Sequence, residues 1–234
     1  MKLILETPNL QDYLVEDEHV DFGHSQIREK VNELFGNCYN EIDQVTKAYE
    51  FVRDEIAHSW DIQSARITRT ASEALIFKEG ICYAKANLLA ALLRTVKIPM
   101  GFCYQRATLG DTPETGYCIH ALNAVYLSEI NKWVRLDARG NKEGVNAQFL
   151  IDREQLAFPI RTYYDEKDYP MIYKKPLKIT MDTLINNTNC LEMYQYHLPT
   201  DIKPISAVEN VLTGGLTCDR FPSLYEKPQK PHQP

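Results

Sequence analysis

Hydrophobic residues recur at three- and four-residue spacing through the first half of the chain, the period of one helix face. Over residues 25–36, Ile27, Val31, Leu34 and Phe35 share a face, and Gly36 supplies a stop. A second amphipathic helix follows Asn40, a residue type suited to N-capping, with Ile42, Val45, Tyr49, Val52 and Ile56 in register. In "TASEALIFKEG", Thr70 and Glu73 have the spacing of a capping box, and Gly80 marks the expected end. From Cys82 to about Thr95 the pattern changes. Leu88, Leu89, Leu92 and Leu93 mix with alanines on nearly every side, leaving Lys85, Asn87 and Arg94 as the strongly polar positions. A helix that is apolar all round is covered all round, so this one is expected at the centre of the fold.

Beyond "VKIPMG" the pattern becomes that of strands. One is expected at 101–107, and two more at 120–127 and 132–139, joined by "SEIN" as a hairpin. The tyrosine- and proline-rich stretch 158–180 and the segment 181–200 carry no clear period. "PISAVENVLTGGL" suggests a last short helix, and the polar, proline-rich end suggests a disordered tail. The expected organisation is one catalytic domain over 1–200 and a C-terminal extension over 201–234. Helices followed by an antiparallel sheet place the chain in the α+β class.

Composition narrows the function classes. A net charge of −6 without any Lys/Arg block argues against nucleic-acid binding. No apolar run has membrane-spanning length, and "MKLILETPN" meets a charge and a proline too soon for a signal-peptide core. The six cysteines, at 38, 82, 103, 118, 190 and 218, are far apart and form no CxxC pair, so reduced thiols in the cytoplasm are expected.

The ordinary role of such a cysteine is buried apolar filler. Cys82 stands apart because of the hairpin. If Leu127 pairs with Lys132, the register continues to place His120 opposite Arg139 and Leu122 opposite Asp137. His120 and Asp137 then share a face as diagonal neighbours, roughly 7–8 Å apart at the backbone and closer at their tips. An imidazole oriented by a carboxylate can take the proton of a thiol, and a first-turn sulfur lies beside unsatisfied amides at the positive end of the helix. Gly80 allows a close approach to the helix start, and the Cys82 N–H is available as an oxyanion donor.

"GICYAKANLLAALLRTVKIPMGF", followed by "HALNAVYL" and "KWVRLDAR", resembles the core of the transglutaminase-like superfamily, best over residues 45–140. The resemblance implies a papain-like arrangement with a nucleophile-bearing central helix on an antiparallel β-sheet. It implies Cys82 as nucleophile, His120 as general base and acid, and Asp137 as orienting carboxylate. The arginine that usually follows the "GIP" of the family is missing from "KIPMG" here, and nothing reads as an acidic calcium loop.

Three further residues are candidates for the pocket. Trp60 in "AHSWD" could shield an oxyanion, and Gln105, on the strand after the central helix, could donate to it. Cys118 lies two residues before His120 and is a spectator near the pocket. A metal site of Cys82, Cys118 and His120 fits no common zinc spacing, so no metal and no cofactor are expected. Asp137 could instead pair with Arg135 or Arg139. The resulting expectation is a cytoplasmic cysteine hydrolase acting on a peptide or small amide through a thioester. A protein-glutamine transamidase of the same fold and an inactive peptide-binding module are the alternatives.

Overall fold

The computed structural model describes residues 1–38 and 40–202. The expected helix in "PISAVENVLTGGL" and the proline-rich tail lie outside the described residues. Six α-helices are described: α1 (Ser25–Phe35), α2 (Glu41–Glu50), α3 (Ala71–Phe77), α4 (Cys82–Thr95), α5 (Lys178–Ile185) and α6 (Cys190–Tyr196). The strands are β1 (Ile4–Leu5), β2 (Ala57–His58), β3 (Glu79–Gly80), β4 (Met100–Thr108), β5 (Tyr117–Leu127), β6 (Lys132–Leu136), β7 (Lys167–Asp168) and β8 (Met171–Ile172). The antiparallel sheet runs in the order β6-β5-β4-β7, and α4 packs against it, so the fold is α+β with a buried central helix.

The all-round apolar pattern of α4 has the expected consequence. Every residue from Cys82 to Arg94 is buried, and Leu88, Leu89, Leu92 and Leu93 are fully so. Each such leucine contributes about 1.5–3 kcal/mol over an exposed one, which makes α4 a rigid post. Its polar residues are spent on backbone carbonyls. Arg94 donates to the carbonyls of Val15, Met100 and Lys174 at 2.6, 2.7 and 2.7 Å, tying three segments to the end of the helix. Lys85 donates to the carbonyls of Arg53, inside a short π-helical turn (Phe51–Glu55) after α2, and of Ile56, just past it. Asn87 donates to the Arg69 carbonyl at 3.2 Å.

Asn40 caps α2 through a 2.8 Å bond from the Asp43 N–H. Thr70 caps α3, accepting from the Glu73 N–H at 3.1 Å. The reciprocal half of the expected capping box is displaced by one residue, because the Glu73 carboxylate takes the Arg69 N–H. α3 also stops before Gly80: Lys78 adopts the left-handed conformation (φ 54°) at its C-cap, and Glu79–Gly80 then run parallel to Ala57–His58 as β3.

In the hairpin, Leu127 pairs with Lys132 as the spacing predicts, and the ladder continues to Asn123–Leu136. β6 ends there, three residues short of the expected strand. Residues 137–139 leave the ladder, and Asp137 is free to turn its carboxylate inward. Nothing in the sequence pattern had indicated β7, which pairs along β4 at Gln105–Asp168, nor α5 and α6. Among the described residues no helix is long and apolar enough to cross a membrane.

Candidate active site

Cys82 is the first residue of α4 and is 8% exposed. Its neighbourhood is built by the short parallel pair β2–β3, which aligns His58 with Gly80, two residues before the sulfur. Gly80 is there for steric reasons. A Cβ at this position would lie 2.8 Å from Thr68 Oγ1 and 3.0 Å from Ala84 Cβ, so any side chain would push the start of the helix away. The N-cap residue Ile81 is extended, and no side chain among the described residues caps the helix. The first-turn amides are therefore left to whatever enters beside the thiol.

His120 lies on β5 and is 4% exposed; Asp137, just past β6, is 1% exposed. Their side chains meet directly, with His120 Nε2 2.7 Å from Asp137 Oδ2. This leaves Nδ1 of the ring for the thiol. Oδ2 also accepts the Ala157 N–H at 3.0 Å, and Oδ1 accepts the Arg139 N–H at 3.1 Å. Three donors thus fix the carboxylate. Tyr83, next to Cys82, donates through its hydroxyl to the Ile119 carbonyl, next to His120, at 2.7 Å. That bond clamps the strand to the start of the helix. Phe158 packs edge-on against the imidazole, with centroids 5.1 Å apart at 84°.

Electrostatics follow from this packing. Burial disfavours the charged form of His120, but the Asp137 carboxylate and then the Cys82 sulfur, by charge and by hydrogen bonding, overcome it and raise the imidazole pKa above its ordinary value. Burial alone would raise the Asp137 pKa; His120 and the amides of Ala157 and Arg139 reverse that and hold it below the usual carboxylate range. The site therefore favours an imidazolium–carboxylate pair beside the sulfur.

Cys82 and His120 open onto one cavity of about 430 Å³. Trp60 and Cys118 line it too, as does Tyr194 of α6, which stacks on Trp60 with centroids 4.6 Å apart at 15°. Burial pushes the Cys118 thiol up to about 12, with the nearby Cys82 and Glu166 adding to the effect, so it stays protonated at neutral pH. Gln105 pairs with His120 across the β4–β5 ladder and so shares its face of the sheet, and it lines a neighbouring cavity with Arg135, Glu154 and Asp168.

Neither arginine pairs with Asp137 through its guanidinium. Arg135 holds Glu154 and Asp168, while Arg139 grips Asp61 through two bonds of 2.5 and 2.9 Å. Among the described residues no group of three or more His, Cys, Asp or Glu is placed to hold a metal ion. Sequence reasoning missed His58, Tyr194 and Arg139 as lining residues. The only signal for His58 was its place in "AHSWD", and none existed for Tyr194, which arrives from a segment without readable periodicity.

Such an arrangement can deprotonate a thiol, hold the resulting charge pair away from bulk water and present amide donors to an oxyanion. The chain matches no curated protein sequence. Among solved structures it is similar to one described as "a Putative Cysteine Protease from Cytophaga hutchinsonii", at 19% identity and a TM-score of 0.46 over 57% of this chain. It is also similar to one described as a TGase, at 13% identity and a TM-score of 0.41 over 63% of this chain. The match spans less than half of either of those chains, 43% and 42%. Residues 28–138, the segment that carries Cys82, His120 and Asp137, match the model of the transglutaminase-like superfamily.

Proposed function

We propose that the protein is a cysteine-dependent acyl-transfer enzyme that hydrolyses an amide or peptide bond. The observation that carries this reading is the buried 2.7 Å His120–Asp137 bond beside a thiol at the start of a helix, all facing one cavity. Cys82 Sγ gives its proton to His120 and attacks the carbonyl carbon. The tetrahedral intermediate collapses to a thioester as the amine leaves with the proton from His120, and His120 then activates water to release the acid. The widely spaced cysteines favour a reducing, cytoplasmic setting.

The decisive experiment incubates the protein with a glutamine-containing peptide, with and without a primary amine, and follows the products by mass spectrometry. Free acid is expected in both reactions and is expected to disappear in Cys82→Ala. An amine adduct as the main product would replace hydrolysis by transamidation. Iodoacetamide labelling of Cys82 at pH 6 no faster than that of Cys190 would point to an inactive binding module.

A further inference from the structure

His58 is an imidazole in the same cavity with no part in the proton relay. It is 5% exposed, and its Nδ1 is buried without a hydrogen-bond partner among the described residues. Buried polar atoms are nearly always satisfied, and His58 lines the same cavity as Cys82 and His120, so its ring is placed to take a partner that arrives with the substrate. The ring is also held in place. Its backbone is paired with Gly80, the Ser59 N–H bonds the Gly80 carbonyl at 3.3 Å, and Tyr194 packs edge-on at 5.8 Å and 87°.

Its position relative to Cys82 matters most. His120 stands on β5 of the main sheet, whereas His58 is paired with Gly80, two residues before the Cys82 amide. That amide is the backbone donor available to the oxygen of a carbonyl under attack. We propose that His58 is the side-chain partner of this amide: it donates an N–H to the carbonyl oxygen of the acyl group as Cys82 attacks. This inference rests on the acyl-transfer reading above.

The chemistry is consistent with such a donor. Burial, then the Arg139 cation, hold the His58 pKa well below the ordinary imidazole value, with Lys85 and His120 acting in the same direction and Asp61 opposing. At neutral pH the ring is therefore uncharged, with one N–H to donate. In the step itself the Sγ–C bond forms and the carbonyl π pair moves onto oxygen, where the Cys82 and His58 N–H groups hold it. When the oxygen pair re-forms C=O, the C–N bond breaks and the amine leaves with the proton carried by His120. His58 neither gains nor loses a proton. A second imidazole that stays neutral does not compete with His120 for the thiol proton.

Acylation and alkylation of the same thiol separate this role from thiol activation. Attack on p-nitrophenyl acetate builds an oxyanion, while iodoacetamide reacts at a saturated carbon and builds none. His58→Phe, which fills the space without a donor, and His58→Ala are both expected to slow the nitrophenolate burst about 100-fold. Alkylation of Cys82 should stay within about two-fold of wild type. His58→Gln, which keeps an N–H, should recover part of the burst. Equal slowing of both reactions, or an unchanged burst in both donor-less variants, would overturn the assignment while leaving Cys82 as nucleophile. A wild-type protein that alkylates but gives no burst would instead overturn the acyl-transfer reading, and the role of His58 with it.

Discussion

Asp137→Asn keeps the shape of the side chain and removes its charge, and the hydrogen bonds decide how the amide settles. An amide nitrogen in the place of Oδ2 would oppose both His120 Nε2 and the Ala157 N–H, at 2.7 and 3.0 Å; in the place of Oδ1 it would oppose only the Arg139 N–H, at 3.1 Å. Hydrogen bonds to a charged group are worth about 1.5–3 kcal/mol each, so the single loss is preferred and the oxygen stays on His120. With the two retained bonds weakened toward neutral strength, the variant should lose about 2–4 kcal/mol. That corresponds to a fall in Tm of roughly 10 °C for a chain of this size. The imidazole keeps its place but faces a neutral acceptor. Burial then outweighs what Cys82 alone contributes, and the His120 pKa should fall from its raised value. NMR titration of the His120 ring, alongside thermal unfolding, reads both effects, and acyl transfer should drop on the order of 10²–10⁴-fold. A folded variant whose His120 titrates as in wild type would refute the electrostatic reasoning.

Other expectations concern pH, the helix start and the far end of α4. The folded pKa of His120 is raised, so its stabilising contribution is complete below the unfolded value of about 6.5 and is lost as pH rises through the raised value. The folded pKa of Asp137 is lowered, so its contribution is complete above about 3.9 and is lost as pH falls through the lowered value. Denaturant unfolding across pH should show both limbs, and Asp137→Asn should flatten them. Gly80→Ala introduces a Cβ against Thr68 Oγ1 and Ala84 Cβ and should cost about 1–3 kcal/mol. It should also reduce the rate at which iodoacetamide modifies Cys82, because the start of the helix shifts. Arg94→Met strands three carbonyls at the other end of the helix, and chemical denaturation should show a loss of at least about 1–3 kcal/mol, the cost of one buried acceptor left unsatisfied.

The central helix and the hairpin register were legible in the order of residues, because each depends on local periodicity, whereas Cys82, His120 and Asp137 were singled out by the resemblance to the transglutaminase-like superfamily. Leucine and alanine on every side require burial wherever the helix lies, and a four-residue connection pairs Leu127 with Lys132 whatever surrounds it. The meeting of His120 with Asp137 was half legible. Parity put both on one face, but the 2.7 Å contact arises because β6 ends at Leu136 and the Ala157 amide pulls the carboxylate inward. The cavity wall belongs to the tertiary structure alone. Gln105 lies directly opposite His120 on β4 and lines the neighbouring cavity with Arg135, a placement that its sequence position alone does not give. His58 enters the site because two residues of strand pair with Glu79–Gly80, and Tyr194 because a seven-residue helix lies near it. Contacts of that kind join residues distant in sequence through burial and shape, forces that leave no period in the chain to read.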